Sequence, residues 1–306
     1  MTIVGYVDEL ADSSGLLRDP HALRGRLAAD GYLFFRGLLP VEPVRAAGSA
    51  VTGRLHEGGW ITPAGLPLGP PRGSGPKEAL ADPAYRRAVL GLAFNRIPYL
   101  PELRGLVRGI LGPEAFSYPV KVLRTVYPER AGGPAQGRYV HCDYGGAGVQ
   151  DMLTTWLPLM NIPADLGGLA VMPGGHRQRP HWPRLLKPAA RGWATTDYRV
   201  GDVIVFHCLT PHAALPNAAS ALRISGDFRW QAPDRRAPAE FVLGPGGGQR
   251  ELFSRLLRWQ RWWEPVPKGL TLSPKSELVA GPPAESGLFP LHPGWQRWRP
   301  PRGEVH

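Results

Sequence analysis

The sequence predicts a mainly β domain, an all-β barrel or double-sheet jelly roll with helices packed outside it. Three observations carry this. Short β-rich runs fill the middle of the chain, at 116–127, 138–143, 151–159, 168–172, 202–208 and 222–231. Turn signals such as Ala131-Gly132-Gly133-Pro134 and Pro173-Gly174-Gly175 separate them. Apolar residues at helical spacing fall mostly before residue 112.

In chain order, Asp19-Pro20 makes a helix start, and Leu23 and Leu27 set the apolar side of a helix over 18–29. Gly31 ends it, and 32–39 reads as a buried strand. Pro40 to Pro43 open a second helix reaching about Glu57, with Val44, Val51 and Leu55 on its apolar side. Residues 58–77 are rich in Gly and Pro, a loop able to overhang a pocket. Short helices are expected at 82–93 and 99–111, the second stopped by Gly112-Pro113. Within the β region, 177–199 is a long insert carrying Trp182, Trp193 and Tyr198, of the kind that forms lids and binding loops.

After Pro233 the chain changes character. Gly244 to Gly248 is linker-like, 249–263 reads as a helix dense in Leu, Arg and Trp, and a Pro-rich tail ends in Trp295 and Trp298. The expected organisation is a main domain over 1–233 and a C-terminal helix and Pro/Trp-rich arm over 234–306, packed on the same domain. The arm also offers a surface for a homodimer contact or a wall of the substrate site.

The 306 residues can bury a sizeable core. No run approaches the roughly 18 consecutive apolar residues of a membrane span. The start of the chain has no basic segment followed by an apolar one, so no secretory leader is expected. Two cysteines, Cys142 and Cys208, exclude a disulfide scaffold and make a reducing cytoplasm the expected compartment. Both read as small buried apolar residues. The net charge of +11 invites a nucleic-acid partner, but only five of the 36 basic residues are Lys, leaving 31 Arg scattered along the chain. That pattern is a compositional bias, and nucleic acid is not the expected partner. An anionic small substrate is a competing reason for basic charge near a pocket.

His141 and Asp143 are two residues apart, which on a strand puts both side chains on one face. A second imidazole from a distant strand would complete a two-His, one-carboxylate metal site, the arrangement suited to non-haem Fe(II) oxygenases. His176, His181, His207 and His212 are the sources open to it.

Four features in order resemble the phytanoyl-CoA dioxygenase-like branch of the Fe(II)/2-oxoglutarate-dependent oxygenases. They are His141-x-Asp143, the Gly167–His176 segment ending Pro173-Gly174-Gly175-His176, the Gly201–Phe206 segment, and His212 with Arg223 eleven residues later. An upstream piece, 30–38, resembles the family's N-terminal strand, and the resemblance covers about 18–232. Gly175 stands where a Ser is usual, a turn variation.

The resemblance implies a double-stranded β-helix, or cupin-like jelly roll. It implies Fe(II), 2-oxoglutarate and O2 as cofactor and co-substrates, with succinate and CO2 as co-products. It selects His212 as the third metal ligand beside His141 and Asp143. His176 then caps a turn, His181 lies in a loop and His207 belongs to the preceding strand. Arg223 would pair with the far carboxylate of 2-oxoglutarate, which needs a cation when buried. Ser225, on the same strand face, adds a hydrogen bond, while Arg229 keeps the phase but lies too far along the strand. Lys121 or Arg124, Thr154 and Trp156 are further candidates for contact with the co-substrate. Asp143 stands where related iron halogenases carry Ala or Gly.

The expected function is oxidation, most simply hydroxylation, of a C–H bond in a small molecule, as a tailoring step of secondary metabolism. Trp60, Trp182 and Trp193 point to a sizeable, partly apolar substrate, held by the loops at 58–77, 145–150 and 177–199. The alternatives are a nucleic-acid- or protein-modifying oxygenase of the same superfamily, and a non-enzymatic binding protein on the same barrel. The latter would have lost His141, Asp143 or Arg223, and all three are present.

Overall fold

The computed structural model describes residues 7–69, 81–129, 140–177, 192–243 and 266–279. Helices form where the sequence places them. In α1 (Pro20–Asp30) Asp19 accepts from the backbone N–H groups of His21 and Ala22, both at 3.0 Å, and Pro20 occupies the first turn. Gly31 closes α1 in the left-handed region at φ 79°. A side chain there would also collide: an added Cβ would lie 2.5 Å from His176 and 2.7 Å from Thr210. The remaining N-terminal helices are α2 (Val41–Glu57), α3 (Pro83–Val89), α4 (Leu92–Arg96) and α5 (Pro101–Leu111). The expected 82–93 helix is thus two short ones, divided at Gly91.

The strands are β1 (Val7–Glu9), β2 (Tyr32–Phe35), β3 (Phe116–Ser117), β4 (Val122–Val126), β5 (Leu153–Pro158) and β6 (Leu169–Val171). They continue as β7 (Trp193–Thr195), β8 (Val203–His207), β9 (His212–Ala214) and β10 (Arg223–Gln231). A larger sheet runs β2-β8-β5-β10-β3, with β4 also paired to β10, and a smaller one runs β1-β7-β6-β9. The two face each other as a jelly roll of the double-stranded β-helix type, without a closed barrel among the described residues.

Side-chain alternation divides the larger sheet's two faces. Leu33, Phe35, Leu153, Leu157, Val205 and Phe228 turn outward onto the helices, meeting Val44, Val51, Leu55 and Leu103. Tyr32, Phe34, Trp156, Ile204 and Phe206 turn inward onto Leu169, Val171 and Ala194 of the smaller sheet. At the open end, Tyr118, Tyr144, Met152, Cys208 and Leu209 form a third cluster with Ala237 and Val242. Val266, Leu270 and Leu278 of the C-terminal arm pack against that cluster. The expected 249–263 helix and the terminal tryptophans lie outside the described residues. No described helix is long and apolar enough to cross a membrane.

Three strand expectations are corrected. The 32–39 strand stops at Phe35, because Gly37 turns at φ 62° and donates its N–H to Asp202 at 2.9 Å. The 116–127 run breaks into β3 and β4 around Pro119, which has no N–H to donate to a ladder. Of the 138–143 run, residues 140–143 are described, and among these only His141 bridges. At Asp143 the chain turns helical (φ −61°, ψ −25°) into a single turn, α6 (Tyr144–Ala147).

Candidate metal centre

Strand alternation therefore does not bring His141 and Asp143 together; a bridge followed by a turn does. His141 and His212 exchange backbone hydrogen bonds of 3.1 and 3.0 Å, leaving their ring centroids 4.2 Å apart. The turn after His141 then swings Asp143 under both imidazoles. Its Oδ1 lies 4.0 Å from His141 Nε2 and 3.9 Å from His212 Nε2. These separations are too long for hydrogen bonds. They leave room for one cation touching a donor atom of each residue, all three donors lying within 4.8 Å of one another.

The ligand set is prepared for that role. His212 Nδ1 is 3.0 Å from the carbonyl of Thr210, which fixes the proton there and leaves Nε2 as the donor atom. Phe206 packs on the His212 ring at 4.5 Å. Asp143 is buried, and burial alone would raise its pKa. Arg229, His212 and His141, together with the Thr154 hydroxyl, outweigh burial and hold the carboxyl well below the ordinary range. The group is an anion at neutral pH, as a metal ligand must be.

A second feature lies on β10. Arg223 is 2 % exposed, its guanidinium 5.9 Å from the centre of the Trp156 ring, and it donates to Ser225 Oγ at 3.3 Å. Its Nε is buried without a partner, and no carboxylate among the described residues forms an ion pair with it. Asp227, on the same strand face, is taken by Arg124 at 2.7 Å. Burial pulls the guanidinium down to about 10, so it stays charged at neutral pH. A buried cation with no carboxylate paired to it among the described residues would suit a dicarboxylate co-substrate whose far end reached it.

The remaining sequence candidates divide. Thr154 faces the metal ligands but spends its hydroxyl on Asp143 Oδ2, at 2.5 Å. Lys121 is not brought to the site. It precedes β4 in phase with Leu123, which packs on the helical layer. Its ammonium is held by Ser117 Oγ at 2.6 Å and by the carbonyl of Tyr118, 5.6 Å from the centre of the Tyr99 ring. Of the two candidates it is Arg124, paired with Ser225 of β10, that turns inward. Cys208 is buried, whereas Cys142 is only partly buried and donates to the Leu209 carbonyl at 3.2 Å. His176 packs beneath α1 with Nε2 2.9 Å from the Ala28 carbonyl, and His207 lies 3.6 Å from Asp151.

Trp60 and Trp193 are corrected as pocket walls. Both are fully buried: Trp60 stacks on Tyr85 under the helices, and Trp193 packs with Ala170, Met172 and Ala213. Trp182 and His181 lie outside the described residues. Conversely, Arg229, expected to lie too far along its strand, does reach the ligand set. Its Nη2 lies 3.5 Å from Asp143 Oδ1, with Phe241 stacked 4.9 Å from the guanidinium. Its shared phase with Arg223 was the available signal.

The phytanoyl-CoA dioxygenase family model matches residues 77–225. The 1-deoxypentalenic acid 11-beta-hydroxylase of Streptomyces exfoliatus is 27% identical over 254 residues, covering 74% of this chain and 86% of that one. Among solved structures, EctD from S. alaskensis with 2-oxoglutarate and 5-hydroxyectoine superposes with TM-score 0.55 at 16% identity, over 88% of this chain and 92% of that one. The non-heme monooxygenase ThoJ, as its nickel complex, gives 0.52 at 19% identity, over 78% and 98%.

Proposed function

We propose a specific reaction for this chain, which is a phytanoyl-CoA dioxygenase-like protein over residues 77–225 and an iron- and 2-oxoglutarate-dependent oxidoreductase. It hydroxylates a C–H bond of a small molecule in secondary metabolism, consuming 2-oxoglutarate and O2 and releasing succinate and CO2. The observation that carries this reading is the pairing of two features in one sheet interior. His141, Asp143 and His212 converge there, and Arg223 lies buried with no carboxylate ion-paired to it among the described residues. The hydroxylase relatives act on 1-deoxypentalenic acid, which supports a small-molecule substrate.

His141, Asp143 and His212 would hold Fe(II), which when bound couples oxidative decarboxylation of the 2-oxoacid to oxidation of the C–H bond. Each residue's part follows from its surroundings. The Thr210 carbonyl keeps His212 in the tautomer that offers Nε2. Arg223 and Ser225 take the far carboxylate of 2-oxoglutarate, exchanging an unmatched buried cation for a paired one. Trp156 and Tyr198, with ring centroids 4.7 Å apart, close the interior beside Arg223 and exclude water from the co-substrate's chain.

The test is succinate formation from 2-oxoglutarate by the iron-loaded protein under oxygen, with and without small molecules that include 1-deoxypentalenic acid. Oxygen-dependent succinate, raised by a substrate that gains one hydroxyl oxygen, is expected. Oxygen-independent conversion of a small molecule with no succinate formed would point instead to a hydrolytic metal site and overturn the reading.

A further inference from the structure

One row of the larger sheet runs directly beneath the metal ligands. Arg229 on β10 is paired with Thr154 on β5, which is paired with Phe206 on β8. All three touch the ligand set, Phe206 at His212 and the other two at Asp143.

Thr154 and Arg229 treat the two oxygens of Asp143 differently. Oδ2 accepts the Thr154 hydroxyl at 2.5 Å, a charge-assisted bond inside the protein. Oδ1 faces both imidazoles and also lies 3.5 Å from Arg229 Nη2. We propose that Thr154 is a positioning residue that commits Asp143 to offering the metal Oδ1 alone, and that Arg229 is a cation the metal must displace from that same oxygen. This rests on the metal-binding reading above.

The physical reasons are separate. Turning Oδ2 onto the metal would break the Thr154 bond and leave a buried hydroxyl unsatisfied. A carboxylate held to one oxygen occupies one coordination position, which keeps neighbouring positions open for a chelating co-substrate and O2. Arg229 acts with the opposite sign: a guanidinium against Oδ1 repels an incoming dication and competes for the anion. Phe241 stacks on the guanidinium from the C-terminal segment, so that segment helps set the competition.

Removing the two residues should therefore move metal affinity in opposite directions, which general damage to the site would not do. The experiment is calorimetric titration of the full apo chain with Mn(II) and Co(II), together with the Co(II) absorption spectrum as a readout of coordination. Thr154→Val should bind roughly 10- to 100-fold more weakly, the usual effect of losing a hydrogen-bond partner of a metal ligand, and should alter the Co(II) spectrum. Thr154→Ser should restore both, and keeps the test available if the valine variant does not fold. Arg229→Gln should bind several-fold more tightly than the wild type. An unchanged affinity and spectrum in Thr154→Val would overturn the positioning role. Weakening in Arg229→Gln parallel to Thr154→Val would overturn the competition. A wild-type chain that binds neither ion would overturn the metal reading itself, an outcome distinct from a wild type that binds and variants that match it.

Discussion

Arg223 and Trp156 lie side by side on the inner face of the larger sheet, the guanidinium 5.9 Å from the indole ring centre. Arg223 is 2 % exposed and forms no ion pair among the described residues. Such an arrangement disfavours folding, because burying a charge without an ion-paired partner costs several kcal/mol. A dianionic co-substrate bound against Arg223 would remove that cost.

Arg223→Met should accordingly weaken 2-oxoglutarate binding by roughly two to three and a half orders of magnitude, the fold-change equivalent to about 3–5 kcal/mol for breaking a buried pair. Arg223→Lys should recover part of it, since an ammonium keeps the charge and loses the planar fork. Calorimetry on the Mn(II)-loaded protein reads both. Normal 2-oxoglutarate affinity in Arg223→Met would assign the residue elsewhere.

The carboxylate of Asp143 bears on the reaction outcome. With a metal bound between the three side chains, it would take the position that a halide would need beside the two imidazoles. Turnover in chloride buffer should yield a hydroxylated or desaturated product and no chlorinated one, as mass analysis of the products would show. A chlorinated product from the unmodified chain would contradict the placement of Asp143 on the metal.

Stability should fall as the solution is acidified through the histidine range. His176 is buried against the Ala28 carbonyl, and burial pulls its pKa from 6.5 down to about 4. Between those values the unfolded chain takes up a proton that the folded chain refuses. The His176 contribution is therefore complete above about pH 6.5 and is lost progressively toward pH 4. Buried His207, also shifted downward by burial, adds to the same slope. Denaturant midpoints measured from pH 7 to pH 5 should drop for the wild type and drop less for His176→Gln. Equal slopes would show that His176 is protonated normally in the fold.

Trp60 offers a test of core against pocket. Because it is fully buried and stacked on Tyr85, Trp60→Ala should cost about 3–5 kcal/mol of stability in denaturant unfolding. A variant with wild-type stability and altered substrate use would return Trp60 to the pocket.

These residues also mark how far the sequence could be read. The helix ends were legible because they are local: Asp19, Pro20 and Gly31 act through their own backbone neighbours. The convergence of His141, Asp143 and His212 was legible through the motif, yet for the wrong geometric reason, since a turn and not a strand face delivers Asp143. Register across strands was not legible. Whether Lys121 or Arg124 points inward depends on how β4 pairs with β10, and Arg229 lies near Asp143 because it is paired with Thr154, which bonds the same carboxylate. The tryptophans misled for a related reason. A large apolar side chain in a Gly/Pro-rich stretch reads equally well as pocket wall or core plug, and only packing separates the two.

The most direct measurement is anaerobic titration of the apo chain with Fe(II), then with 2-oxoglutarate, followed by iron stoichiometry and by the visible charge-transfer absorption of a chelated 2-oxoacid. One iron per chain is expected, with a visible band that appears only when 2-oxoglutarate is added. Both signals should be lost in His141→Ala, Asp143→Ala and His212→Ala, while Arg223→Met should keep the iron and need far more 2-oxoglutarate for the band. Stoichiometric iron and an unchanged band in any of the three alanine variants would contradict the metal centre described for this chain.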